Sequence, residues 1–157
     1  MAYPEHTISY TDDPAERHQS FVAPYLVIGM ECARPLAPTT RLSVAEVAHV
    51  TIGRGPCRGH HRFARDGVAV LRIELEDSWM SSDHARLDAT AEGWQVADAG
   101  SKNGTFVNGV RITTQPLADG DVIEIGNSLF LFRSAVARRF REPPDLELQP
   151  SSCSRAI

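Results

Sequence analysis

The sequence predicts an all-β fold, a β-sandwich of short strands. Three observations carry that expectation. Apolar runs of strand length recur with turn residues between them, and no stretch has the periodicity of a convincing long helix. From Leu71 to Glu76 apolar and polar residues alternate strictly, as in a strand buried on one face. Between Asp98 and Gly109 stand two Asn-Gly pairs, Asn103-Gly104 and Asn108-Gly109, with apolar Phe106 and Val107 between them. Asn-Gly is the strongest short hairpin signal, because both residues tolerate the positive φ of a type I′ turn. Two such turns so close together leave room for only a very short strand.

The elements follow in order. Pro24 to Ala33 is a first strand and Pro35 to Pro38 a turn. Arg41 to Ile52 reads as one strand with an irregularity: Leu42 and Val44 share a face, Val47 has the other parity, and Val50 and Ile52 return. A bulge near Ala45-Glu46 accounts for that change of phase. Gly55 to Gly67 is a long, basic, turn-rich loop, and Val68 to Glu76 the clearest strand. His84–Ala89 and Gly93–Ala97 pair as a hairpin across Thr90-Ala91-Glu92. Val110 to Thr113 is a short strand, Leu117 to Asp121 a turn, Val122 to Ile125 a strand, Gly126-Asn127 a tight turn and Ser128 to Arg133 the last strand. Phe130 and Phe132 face one side of it, Leu129 and Leu131 the other. A strand apolar on both faces is sandwiched or lies beneath a partner.

The chain of 157 residues suits one domain with a real core plus tails. Residues 1–22 read as a mobile arm, 23–135 as the domain, and 136–157, rich in proline and serine, as a tail or linker. Hydrophobic residues make up 42% and the formal net charge is −4, so most of the chain should fold and any anion site must be local. No apolar stretch approaches membrane-spanning length, and the N-terminus lacks a basic segment followed by an apolar one. A cytoplasmic protein that binds no membrane is expected. Cys32, Cys57 and Cys153 are odd in number and scattered, which fits reduced thiols rather than a disulfide framework.

The stretch from Asp98 to Gly109 gathers backbone N–H groups, an Asn amide, a Thr hydroxyl and the Lys102 ammonium, donors that suit an anion. Upstream, Gly53-Arg54 ends one apolar run and Ser81-Ser82-Asp83-His84 precedes another. The ordered set Gly-Arg, Ser-x-x-His, Asn-Gly-Thr, Asn-Gly, with strand-like sequence between, resembles the forkhead-associated (FHA) domain, a phosphothreonine-binding module, over roughly residues 24–134.

The resemblance implies two packed, mostly antiparallel sheets with the binding loops at one end. It implies that Arg54 supplies the main charge to the phosphate, that Ser81 donates its hydroxyl to a phosphate oxygen, and that Asn103 grips the ligand main chain. His84 braces the loop; Gly53, Gly104 and Thr105 shape it; Asn108 and Gly109 are scaffold. The position after the motif Ser is often Arg, Lys or Asn in the family. Here it is Ser82, which has a hydroxyl but no charge, and Lys102 is the obvious substitute. Arg58, Arg62 and Arg65 in the basic loop are further candidates, and that loop would border the pocket in which family members read the third residue after the phosphothreonine. The expected partner is a phosphothreonine-containing protein or peptide, with the chain's own Thr11 as an internal candidate. No cofactor is implied. The wording around Trp79 to Leu87 is similar to modules of bacterial signalling and transcription regulators, which makes the tail a linker toward a further domain.

Rival classes fit less well. Ser81, His84 and Asp98 contain the atoms of a catalytic triad, but without a nucleophile elbow, so no enzyme is expected. Cys57, His60 and His61 cluster liganding atoms without a second pair at zinc spacing, so no metal is expected. Net charge and the absence of aromatics interleaved with basic residues disfavour nucleic acid. The remaining alternative is a degenerate scaffold of the same fold that binds a partner independently of phosphate.

Overall fold

The computed structural model describes residues 23–134, and the arm with Thr11 and the tail from 135 lie outside the described residues. The described residues form twelve strands: β1 (Tyr25–Glu31), β2 (Thr40–Ser43), β3 (His49–Arg54), β4 (Gly59–Arg65), β5 (Val68–Leu75), β6 (Ala85–Thr90), β7 (Gly93–Asp98), β8 (Thr105–Val107), β9 (Val110–Ile112), β10 (Thr114–Pro116), β11 (Val122–Ile125) and β12 (Ser128–Arg133). They build two six-stranded sheets, ordered β2-β1-β12-β11-β8-β9 and β10-β7-β6-β3-β5-β4. Pairing is antiparallel throughout except between β3 and β5, which run parallel with Val50 opposite Leu71 and Ile52 opposite Ile73. This is the expected all-β sandwich of mostly antiparallel sheets.

The core lies between the sheets and follows the alternation of each strand. Leu26 and Ile28 of β1, Val50 and Ile52 of β3, Leu71, Ile73 and Leu75 of β5, Ile123 and Ile125 of β11, and Phe130 and Phe132 of β12 are all buried in it. Leu129 and Leu131, on the other face of β12, are only half buried. The side of β12 toward the opposite sheet therefore carries the packing.

Three expectations need correction. The segment from Arg41 to Ile52 is two strands in different sheets, β2 and β3, and the shift of parity marks the passage between them; Glu46 sits there at φ 65°. The basic segment after Arg54 is an edge strand, β4, in hairpin with β5 across Asp66-Gly67, at φ 52° and 77°. Two positive φ values in sequence are those of a type I′ turn, which Asp-Gly serves as well as Asn-Gly. Thr114 to Pro116, between the expected strand to Thr113 and the turn from Leu117, adds a further strand, β10, on β7. Cys57 is disulfide-bonded rather than a reduced thiol, whereas Cys32 is free and exposed.

The open end of the sandwich beside β4 is closed by arginines. Arg58 Nε donates to Glu31 Oε1 at 2.5 Å, and its other donors reach the Pro38 carbonyl at 3.0 Å and Thr40 Oγ1 at 2.8 Å. Arg62 donates to the Ser43 carbonyl. These bonds stitch β4 and the residue before it to β1, β2 and the connection between them in the other sheet. Among the described residues, no helix is long and apolar enough to cross a membrane.

Phe130 is fully buried in the centre of this core. Phe130→Ala should destabilise the domain by about 3–5 kcal/mol, measured by chemical denaturation.

Candidate phosphopeptide-binding site

Three connections meet at one end of the sandwich: the end of β3, the β5–β6 connection and the β7–β8 connection. His84 joins them. Its ring is fully buried. Nδ1 accepts from the Ser81 backbone N–H at 3.0 Å, so the ring proton is on Nε2, which donates to the Gly104 carbonyl at 3.0 Å. The His84 backbone N–H donates to the Ile52 carbonyl at 3.0 Å, and its carbonyl accepts from Ala99 N–H at 2.9 Å.

Arg54 ends β3 with its side chain exposed, and its backbone N–H donates to the Ser81 carbonyl at 2.8 Å. Gly53 before it admits no side chain, since a Cβ would lie 1.8 Å from the Ser82 carbonyl oxygen. The β5–β6 connection thus packs directly onto the β3 backbone. Ser81 Oγ accepts from the Lys102 backbone N–H at 3.2 Å, which leaves its own proton free to point outward. Asn103 Nδ2 donates to the Trp79 carbonyl at 2.7 Å, which leaves its amide oxygen an acceptor without a partner among the described residues. These bonds bring Arg54, Ser81, Lys102 and Asn103 together. Arg54 and Lys102 form no ion pair with any described residue, so the site carries two unneutralised cations.

The β7–β8 connection takes its shape from Asp98. Oδ2 accepts from the backbone N–H of Gly100 at 3.1 Å and of Ser101 at 3.0 Å, and Oδ1 from the hydroxyls of Ser101 at 2.6 Å and Thr105 at 2.7 Å. Ser101 Oγ in turn accepts from Gly104 N–H at 2.9 Å. Burial acts to raise the Asp98 pKa, but the bonds from Ser101, Thr105 and Gly100 outweigh it and hold the carboxyl below its ordinary value of 3.8. Gly104 has φ 86°, and a Cβ there would meet Arg111 Nε at 2.6 Å. Asn103 does not share the positive φ, so the first Asn-Gly is not a type I′ turn. The second is: Asn108 and Gly109 stand at φ 50° and 78°.

The other expected residues are placed as follows. Asn108 and Gly109 form the β8–β9 turn, where Asn108 bonds Asp121 Oδ1 at 2.8 Å and Val122 N–H at 3.0 Å. Ser82 is exposed, and Arg72 holds its carbonyl at 2.5 Å. Arg58 and Arg62 are committed to β1 and β2 rather than the site. Arg65 is at the far end of β4, opposite Val68, whereas Arg54 is opposite Leu75. Only residues 55–58 remain as a loop beside Arg54, much shorter than expected. Ser81, His84 and Asp98 form no relay, since backbone groups occupy both ring nitrogens of His84 and Asp98 serves its own loop.

The FHA domain profile matches residues 50–126. The oxoglutarate dehydrogenase inhibitor of Corynebacterium efficiens is 33% identical over 97 residues, which cover 57% of this chain and 68% of that protein. The chain belongs to the FHA-domain family. FHA domains are non-catalytic modules for phosphothreonine-dependent interaction. The glycogen accumulation regulator GarA of Mycolicibacterium smegmatis is 38% identical over 92 residues, 54% of this chain, and the chain spans only 58% of GarA's length. The solution structure of the FHA domain of an Arabidopsis thaliana hypothetical protein shares the fold, with a TM-score of 0.54 at 22% identity, covering 78% of this chain and 92% of that one.

Sequence reasoning missed the residues that hold the FHA loops. Asp98 is one, and the run Asp-Ala-Gly-Ser was its signal, since Asp caps the backbone two and three residues on. Asp77 is another: it accepts from Trp79 N–H at 2.9 Å, Asn127 N–H at 2.7 Å and Ser128 Oγ at 2.9 Å, tying the β5–β6 connection to the β11–β12 turn. No periodicity announces a contact fifty residues away.

A depressed carboxylate pKa contributes stability above the unfolded value, which is lost as pH falls through the folded one. The Asp98 carbon signal should therefore titrate below 3.8 in an NMR pH series, and the loop amides should not shift between pH 8 and 5 through this group. Gly53→Ala should displace the β5–β6 connection, read as shifted amides of Ser81 to His84 in a protein that still unfolds cooperatively.

Proposed function

We propose that this FHA domain binds phosphothreonine-containing segments of partner proteins through Arg54, Ser81 and Asn103, assisted by Ser82 and Lys102. The observation that carries the reading is the set of outward donors held in place by the fully buried His84 ring. A phosphothreonine brings close to two negative charges and three strong acceptor oxygens. Arg54 meets it with a guanidinium fork, Ser81 with a hydroxyl, Lys102 with an ammonium. Each charge-assisted bond contributes roughly 1.5–3 kcal/mol, so two or three of them decide between bound and unbound at ordinary concentrations. The Asn103 amide oxygen receives a main-chain N–H of the ligand beside the phosphothreonine.

In this reading the protein performs no chemistry. It reads a mark that a kinase writes, in the cytoplasm, within bacterial signalling or transcription regulation. The domain comprises residues 23–135, flanked by the arm and the tail. Thr11 is an internal ligand candidate.

Binding to a degenerate phosphothreonine peptide library tests the proposal, with the dephosphorylated library and Arg54→Ala as controls. Phosphate-dependent binding should fall at least tenfold in Arg54→Ala, the loss of one charge-assisted contact. Equal binding of both libraries by the folded protein would instead identify a scaffold that ignores phosphate.

A further inference from the structure

The outer face of the β4–β5–β3–β6 half of the second sheet carries a groove that the phosphate site does not use. It is an open depression of about 300 Å³ lined by His49, Thr51, Phe63, Arg65, Val70, Arg72, Asp83 and Arg86. Its floor is Val70, 6% exposed yet outside the inter-sheet core. Val70 stands between its ladder neighbours Phe63 on β4 and His49 on β3. Phe63 is 41% exposed and Val68, at the hairpin end, 38%. Phe63 and Val68 thus leave apolar surface exposed beside that floor.

The rim carries arginines in a chain of net charge −4. Three guanidiniums line the groove against one lining carboxylate, Asp83, which pairs with Arg72 at 2.8 Å. Arg72 also approaches Glu74 at 3.4 Å, and Asp88 beside the groove takes Arg86 at 2.9 Å and His49 at 2.6 Å. Arg65 forms no ion pair with any described residue. Arg72 and Arg86 are thus neutralised within the protein, and Arg65 is the unpaired guanidinium beside the apolar floor, the complement of an acidic segment with an apolar anchor.

Position says which molecule brings that segment. Arg72, in the groove wall, holds the Ser82 carbonyl at 2.5 Å, and Ser82 adjoins Ser81 of the phosphate grip. From Arg72 to Val68 along β5 is about 13 Å, the span of four extended residues. One extended ligand can occupy both places.

We infer that the groove is a second recognition surface, which takes an acidic segment with an apolar anchor from the same partner that presents the phosphothreonine. The inference rests on the phosphothreonine reading and adds a second contact to it. Two-point attachment raises affinity because the second contact forms at high effective concentration.

The test uses the full chain and a seven-residue phosphothreonine peptide flanked by alanines. Versions are extended at either end by four residues of Asp, Glu and Phe, or by Lys in place of the acids. The acidic extension at one end should tighten binding about tenfold, and the basic one should not. Arg65→Glu and, separately, Phe63→Ala should remove that gain while leaving the short peptide's affinity unchanged, which also shows that the variants fold. NMR shifts caused by the extension should fall at His49, Thr51, Phe63 and Val70. A short peptide that binds with no gain from either extension, or a gain that survives both variants, overturns the groove alone. A short peptide that does not bind at all overturns the phosphothreonine reading and the groove proposal with it. A dimer dissolved by Arg65→Glu, or an oligonucleotide that shifts the groove residues where the peptide does not, assigns the surface to another occupant and overturns the proposal.

Discussion

The hydrogen bonds of His84 hold this end of the molecule together. One residue links the end of β3, the β5–β6 connection and the β7–β8 connection through four bonds, two from its ring and two from its backbone. Full burial is what makes the arrangement specific. In water each bond would exchange with solvent at a net gain of about 1 kcal/mol, but a buried unsatisfied group costs about 1–3 kcal/mol. A shift of either loop would strand a ring nitrogen, so the loops hold one relative position. The neutral tautomer that this pattern requires supplies one acceptor and one donor, which a Lys or an Arg cannot.

Around that bond the connections fix themselves locally. Asp98 orders the β7–β8 connection and Asp77 the β5–β6 connection, each a carboxylate collecting N–H and hydroxyl donors from nearby turns. Gly53 lets the β5–β6 connection approach the β3 backbone to a distance that no side chain would allow. The ordering cost is met when the domain folds rather than when a ligand arrives, which is how rigid sites gain affinity. Arg54 and Lys102 stay free of carboxylates among the described residues, so an incoming dianion displaces no protein ion pair. That asymmetry separates them from Arg58, whose equally strong charge is consumed by Glu31 in a buried pair.

The alternating strand that buries one face was legible in the sequence, as β5 shows, and so were the positions of β11 and β12. The motif residues that gather at one end were legible too, because their spacing is a property of the family. What was hidden has physical reasons. β4 is exposed along most of its length, so Gly59 to Arg65 carries no inside–outside pattern, and its basic composition resembled a loop. The parity shift before Val50 was seen, but parity alone does not separate a bulge from a change of sheet. Asn103-Gly104 looked like Asn108-Gly109, yet the Asp98 network overrides its local turn preference. The commitment of Arg58 to Glu31 depends on residues 27 apart, a contact no local signal predicts.

An amide NMR titration of the labelled protein with one peptide, phosphorylated and unphosphorylated on threonine, tests the central claim most directly. The account predicts shifts at Arg54, Ser81, Lys102 and Asn103 with the phosphorylated peptide only. The His84 Nε2–H signal should persist unchanged, since the brace is built before the ligand arrives. Shifts independent of phosphate, or centred on residues away from those three connections, would contradict it.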